Sequence, residues 1–292
     1  MMSSHAPNWT VGRLLNWTTS YLEKNISKTP RLDAEVLLAH SRQCSRIELY
    51  TDFESEVDET ICTDYRNLIR RYQQGEPVAY LVGHKEFFSL KLEVTPSVLI
   101  PRPETEFVIS QFLELNDSSD PAHICDMGTG SGNIAIVVAK QRPLAHITAV
   151  DICPDALEVA RRNTQLHNLT RRIQLVQSDG FDCLTSTSCF DFILTNPPYV
   201  SDQEYSSLPN EVKNYEPKLA LHGGQNGMAI IRKIADQATK HLKKGGCLIM
   251  EMGSQQEAIV SQFFLEHPRF SSPRIIADYQ GHARVVCSHL LD

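Results

Sequence analysis

The sequence predicts an α/β protein: a mostly parallel sheet covered by helices on both faces, preceded by a small all-helical N-terminal domain. Three observations carry this. Residues 1–83 place their apolar side chains at helical spacing, short apolar runs alternate with helical patterns from residue 122 onward, and between the two regions the period switches to two. A chain of 292 residues is also long for one mixed domain. The expected division is 1–83 for the helical domain, 84–98 for a β-hairpin linker and 99–292 for the α/β domain.

Val11, Leu14, Leu15, Thr18 and Leu22 make the first helical stripe, and Thr29-Pro30 supplies a cap and a first-turn proline for a second helix. Ile61, Tyr65, Leu68, Ile69 and Tyr72 form one face of another helix, which Gly75 and Pro77 end. Arg66, Arg70 and Arg71 lie off that stripe and read as a solvated face. Phe88, Leu90, Leu92 and Val94 then alternate with other residues as in a half-buried strand. Next comes Ile100-Pro101-Arg102-Pro103-Glu104-Thr105-Glu106, read as a rigid loop whose acids favour the following helix start. Strands are expected near 122–126, 146–150, 172–176, 190–195 and 247–252, with helices between. Ser254-Gln255-Gln256-Glu257 reads as a capping box for a helix to about Glu266, and Ile275 to Ser288 as a closing hairpin around Gly281.

Composition bounds the function. An apolar fraction of 41% with 22% charged residues is that of a globular domain, and no apolar run approaches the roughly 18 residues of a membrane span. Met1 to Pro7 lacks a basic region followed by an apolar core, so no signal peptide is expected and the location is read as cytoplasmic. The eight cysteines form no Cys-x-x-Cys pair and are read as reduced structural thiols, with no metal. A formal charge of −7 offers no long-range attraction for nucleic acid.

The chemistry concentrates at strand ends. Asp126-Met127-Gly128-Thr129-Gly130-Ser131-Gly132 follows the first strand of the sheet and opens a helix, so its glycines let backbone approach a ligand. Such a loop also suits a dinucleotide, but an Asp126 carboxylate at the mouth would repel a pyrophosphate and favour a cation such as a sulfonium or ammonium group. Asp151 ends the next strand about twenty residues on, where an acid accepts hydrogen bonds from ribose hydroxyls. Asp179, with Gly180 after it, ends the third strand and is placed to accept from an adenine amino group or to cap a helix.

Asn196-Pro197-Pro198-Tyr199 closes the fourth strand and is the most informative segment. An amide or amino nitrogen conjugated to a π-system is a poor nucleophile, so a site that alkylates it must fix its plane and accept both N–H bonds. Asn196 offers a side-chain carbonyl, and Pro197, which has no N–H, offers its main-chain carbonyl. Pro198 stiffens the turn and Tyr199 supplies a flat face for an amide or base.

With these segments on view, the chain resembles the HemK/PrmC-type peptide chain release factor N5-glutamine methyltransferases. Gly75-Glu76-Pro77-Val78-Ala79-Tyr80-Leu81, Tyr215-Glu216-Pro217, Ala220-Leu221-His222-Gly223-Gly224 and Gly281-His282-Ala283-Arg284 extend the match over nearly the whole chain. Asn-Pro-Pro-Tyr alone is shared with DNA amino-methyltransferases, which normally carry a basic target-reading region. A nicotinamide oxidoreductase would leave that segment without a task, and a non-catalytic binding module with a vestigial pocket is the remaining alternative.

The resemblance implies a Rossmann-like S-adenosylmethionine-dependent methyltransferase domain and a helical domain that helps grip the substrate. It implies S-adenosyl-L-methionine as cofactor, held by Asp126, Gly128 to Gly132, Asp151, Asp179, Gly180 and Asn196. The acceptor it implies is the glutamine in the Gly-Gly-Gln motif of class 1 release factors, bound by Asn196, Pro197, Pro198 and Tyr199, with Asn196, Pro197 and Tyr199 catalytic. A monomer acting on protein, without direct nucleic-acid or membrane contact, is the matching expectation. Gly180 stands where the family commonly has a bulky aromatic, which leaves Phe181 to stack on the adenine.

Overall fold

The N-terminal stripes fold into five helices: α1 (Val11–Asn25), α2 (Pro30–Arg42), α3 (Glu48–Thr51), α4 (Glu59–Gln73) and α5 (Val78–Val82). This computed structural model describes residues 9–25, 27–184 and 189–292, so the segment Met1 to Pro7, read above for targeting, lies outside the described residues. Val11, Leu15, Leu22, Leu37, Leu38 and Leu49 are fully buried in one apolar core, which Tyr65 and Ile69 of α4 complete. Pro30 does occupy the first turn of α2. Thr29 makes no side-chain cap, because its hydroxyl goes to the Asp33 carboxylate at 3.3 Å instead. The buried Glu35 is satisfied by Arg31 and Arg46, each at 2.8 Å, and by the Tyr50 hydroxyl, which joins α2 to the α3 segment. Arg66 and Arg71 are exposed and paired with Glu59 and Glu76, as a solvated face requires.

Residues Met1–Gly83 and His84–Asp292 form two compact units. The second opens with an antiparallel hairpin of β1 (His84–Phe87) and β2 (Leu90–Glu93). Phe88 is not a strand residue. It and Ser89 make the two-residue turn, both with positive φ (49° and 60°), the geometry that matches strand twist. Phe87 and Leu92 join the core of this unit, and the buried Asn163 clamps the hairpin's end by accepting from Glu93 N at 2.7 Å and donating to Glu93 O at 2.9 Å.

The remaining elements are α6 (Glu106–Leu115), β3 (His123–Met127), α7 (Asn133–Gln141), β4 (His146–Asp151), α8 (Pro154–Leu166), β5 (Ile173–Gln177), β6 (Phe190–Thr195), β7 (Val200–Ser201), α9 (Asp202–Ser207), α10 (Asn210–Tyr215), α11 (Lys218–Leu221), β8 (His222–Gly224), α12 (Ala229–His241), β9 (Leu242–Glu251), α13 (Glu257–Glu266), β10 (Arg274–Ala277) and β11 (Ala283–His289). The main sheet runs β10-β11-β9-β6-β3-β4-β5, with β5, β4, β3, β6 and β9 parallel and the closing hairpin antiparallel. Apolar cores lie on both faces, as the alternating pattern requires. Strand order reverses between β3 and β6, so the chain leaves their carboxyl ends in opposite directions and opens a crevice there. Gly281, at φ 85°, makes the turn of the closing hairpin.

The expected capping box is shifted by one residue. Gln256 Oε1 accepts from Gly253 N at 2.9 Å, while Gln256 N donates back to Gly253 O at 2.9 Å. Cys247 and Cys287, far apart in sequence, face each other with sulfurs 3.1 Å apart, and with His289 they make the one group among the described residues whose ligand atoms converge.

Candidate functional site

A cavity of about 340 Å³ occupies the crevice at the carboxyl ends of β3, β4, β5 and β6. Of the site residues expected from sequence, Gly128, Thr129, Gly130, Ser131, Asp151, Asp179, Gly180, Asn196, Pro197 and Pro198 all line it. Asp126, Gly132 and Tyr199 do not.

The glycine loop owes its shape to carboxylates behind and beside it. Gly128, Gly130 and Gly132 all have positive φ, a conformation that costs any residue with a Cβ. Asp126 is fully buried beneath the loop: one carboxylate oxygen accepts from the Thr129 hydroxyl at 2.6 Å and from Ala135 N, at the start of α7, at 3.1 Å. Burial without a cationic partner pushes its carboxyl up to about 7. Asp126 therefore shapes the loop rather than lining the cavity. Gly132 is a packing position, where a Cβ would come 3.2 Å from Ile136. A Cβ at Gly130, by contrast, would meet no protein atom within 4 Å, so the cradle is open on its cavity side.

Asp151 faces the cavity and accepts from Gly130 N at 2.8 Å and Cys153 N at 2.9 Å, which ties the glycine loop to the end of β4. Asp179 is paired with Lys233 of α12 at 2.8 Å. Phe181 does not reach the cavity. It is buried in the core and stacks on His241 at 4.6 Å between ring centroids, so the flat walls are aliphatic: Ile152, Leu219, Ile230 and Ile234. With the Asp126 carboxyl raised behind the loop and Asp179 neutralised by Lys233, Asp151 is the carboxylate left facing an apolar slot, which suits a ligand with hydroxyl donors, a cation and a flat aromatic part, as S-adenosylmethionine is, and opposes a pyrophosphate. Gly128 to Ser131, Asp151 and the aliphatic walls are the residues that would hold it.

On the opposite wall, Asn196 Nδ2 donates to Thr105 Oγ1 at 3.0 Å. Thr105 Oγ1 in turn donates to Glu251 Oε2 at 2.6 Å, and the Tyr199 hydroxyl donates to Glu251 Oε1 at 3.0 Å. Thr105 and Glu251 are buried. Burial lifts the Glu251 carboxyl to about 7 and, with the Glu251 charge beside it, raises the Tyr199 phenol as well. Tyr199 thus supports the turn from behind and is not part of the cavity wall. Neither Asn196 Oδ1 nor the Pro197 carbonyl accepts a hydrogen bond among the described residues, and both residues line the cavity.

The turn itself is gripped from outside. Gln256 Nε2 donates to Tyr199 O at 3.0 Å, and the β8 strand packs so closely that a Cβ at Gly223 would come within 2.6 Å of Pro198 O. Glu216 accepts from Ile100 N at 3.2 Å and from the Arg102 guanidinium, and so joins the Pro-Arg-Pro segment to Pro217 and to α11, which carries Leu219 and Ala220. Sequence reasoning missed Thr105, Glu216, Glu251, Ile152 and Lys233 as parts of the site. Thr105 and Glu216 stood inside segments already singled out in the sequence without a task at the site, and Glu251 left its own signal, an acid closing the apolar run Cys247-Leu248-Ile249-Met250 at a strand end.

Two family models match the chain: the PrmC N-terminal domain over residues 13–83 and a methyltransferase domain over residues 118–275. The release factor glutamine methyltransferase of Rhodopirellula baltica is 41% identical over 289 residues, covering 97% of each chain. That of Escherichia coli is 40% identical over 239 residues, covering 82% of this chain and 85% of the other. Among solved structures, a methyltransferase from Pyrococcus furiosus aligns with a TM-score of 0.53 at 20% identity, covering 77% of this chain and 98% of that one, a likeness of fold.

Proposed function

The chain belongs to the release factor glutamine methyltransferase family, and on that premise we propose that it methylates the side-chain amide nitrogen of the Gly-Gly-Gln glutamine in class 1 release factors. The cofactor is S-adenosylmethionine, which supplies an electrophilic methyl group on a sulfonium. One observation supports the site assignment above others: two carbonyl acceptors, Asn196 Oδ1 and Pro197 O, stand on one cavity wall without protein donors among the described residues. That pair accepts both N–H bonds of a primary amide, holds its plane, and leaves the nitrogen's π-face lone pair toward the cavity. The bonds strengthen as positive charge develops on nitrogen. No strong base is required, because the nitrogen becomes acidic as it is alkylated.

The helical unit serves the protein substrate in this reading. Trp17 is 52% exposed and stacks on Tyr21, with Trp9 edge-on beside it, an aromatic surface of the kind that anchors protein partners. No described helix is long and apolar enough to cross a membrane. A cytoplasmic monomer that meets release factors without nucleic acid is the setting we assign.

The test is direct. Labelled S-adenosylmethionine is incubated with the protein and either a purified release factor or DNA, and products are mapped by mass spectrometry. A single methyl on the glutamine of Gly-Gly-Gln, abolished by Gln→Ala in the substrate, is the expected result; label in DNA would overturn it.

A further inference from the structure

The Asn196 side chain presents a problem that its backbone cannot solve. A primary amide is nearly symmetric in shape, and rotating it by half a turn exchanges C=O for NH2 at almost no steric cost. In one orientation the cavity sees an acceptor for the substrate N–H. In the other it sees two N–H groups, which repel that same N–H.

We propose that Thr105 and Glu251 are positioning residues that lock the Asn196 amide with its carbonyl toward the substrate; this rests on the glutamine-methylating reading above. Thr105 Oγ1 lies 2.6 Å from Glu251 Oε2 and 3.0 Å from Asn196 Nδ2. An ionised Glu251 only accepts, so above the range to which burial lifts its carboxyl the hydroxyl proton is committed to Glu251, and the hydroxyl oxygen can then only accept from Asn196. The polarity of the chain runs one way, and the Asn196 Nδ2 end is held at Thr105. The other Glu251 oxygen takes the Tyr199 hydroxyl at 3.0 Å, so a single buried carboxylate at the end of β9 fixes both ends of the Asn-Pro-Pro-Tyr turn. This also gives the Pro-Arg-Pro-Glu-Thr-Glu segment a chemical task. Its prolines and the Arg102–Glu216 pair deliver one hydroxyl to the buried site.

Thr105→Val keeps the shape of the side chain and removes the hydroxyl; Thr105→Ser keeps the hydroxyl. Single-turnover rates with cofactor and release factor saturating, cofactor affinity by calorimetry, and solvent exchange of the Asn196 side-chain amide protons by NMR are measured on the full chain. The expected result is a loss of about tenfold or more in rate for Thr105→Val, with cofactor affinity within about twofold and faster amide exchange. Thr105→Ser recovers most of the rate and the slow exchange. A Thr105→Val protein that turns over at the wild-type rate overturns the lock, as does equal loss in both variants. If the unaltered protein fails to methylate the release factor, the functional reading itself falls; the amide exchange still reports on the lock.

Discussion

Gly130 N donates to Asp151 Oδ2 across 2.8 Å, so one carboxylate at the end of β4 both faces the cavity and holds the glycine loop from the end of β3. Asp151→Ala therefore removes the acceptor that we assign to the ribose and loosens the loop. Cofactor binding should weaken by about 1.5–3 kcal/mol, the range for a hydrogen bond to a charged group. Calorimetry on the folded variant checks this, and unchanged affinity would reject the assignment of Asp151 to the ribose.

Asp126 makes stability depend on pH in an unusual direction. Its carboxyl is raised to about 7 in the folded protein, so folding takes up a proton between the ordinary carboxylate range and neutrality. The contribution to stability is thus full below about pH 4 and is lost as pH rises toward 7, at about 1.4 kcal/mol per unit. Glu251, also raised to about 7, adds a slope of the same sign. Denaturant midpoints of the cofactor-free protein should fall between pH 4.5 and 7.5. Asp126→Asn keeps a carbonyl for Thr129 and Ala135 but has no such proton, so its slope should be shallower; an identical slope would show that Asp126 is ionised throughout.

Local pattern made the central strands legible. β6 begins and ends where its apolar run does, whereas β9 begins at Leu242, before the expected 247, because Lys243, Lys244 and Gly245 break its apolar pattern at an irregular stretch of the β6–β9 pairing, where Gly245 takes a φ of 72°. The cavity wall was legible for the same reason, since strand ends followed by glycine or Asn-Pro-Pro carry their chemistry within a few residues. What the sequence hid was orientation and long-range pairing. Asp126 reads like any acid before a glycine loop, and only packing turns it beneath the loop. Thr105 and Glu251 are joined by a topology that no local period reports, and Phe181, adjacent to the expected adenine wall, is drawn into the core by His241.

Gly223 tests whether the turn's position matters beyond its residues. A Cβ there would fall 2.6 Å from Pro198 O and 2.8 Å from Tyr199 Cα, both backbone atoms that cannot rotate away. Gly223→Ala must displace the Asn-Pro-Pro-Tyr turn or β8, at a cost of about 1–3 kcal/mol of overpacking. The expected signature is a lowered melting temperature together with a turnover loss larger than any loss of cofactor affinity, because Asp151 and the glycine loop are untouched. A variant with normal turnover would mean that the turn tolerates movement.

Asn196 carries the sharpest expectation. Its Nδ2 is held by Thr105, so its carbonyl is left to the cavity beside Pro197 O, the two acceptors we propose for the N–H groups of the acceptor amide. The bond matters most as the nitrogen gains positive charge, so its loss should appear in the chemical step and not mainly in binding. By comparison with removal of one preorganised polar group, Asn196→Ala should lower the single-turnover rate by about 10²–10³. Asn196→Asp keeps an acceptor but places a carboxylate where Thr105 Oγ1, its proton committed to an ionised Glu251, has none to give. It should be impaired as well, through repulsion at that contact. Because Asn196 lines the same cavity as the glycine loop, some loss of cofactor affinity is expected in either variant, and raising the cofactor to saturation should not restore the rate. Single-turnover measurements on folded Asn196→Ala with both substrates saturating decide the matter: a rate near that of the unaltered protein would remove Asn196 from the chemistry.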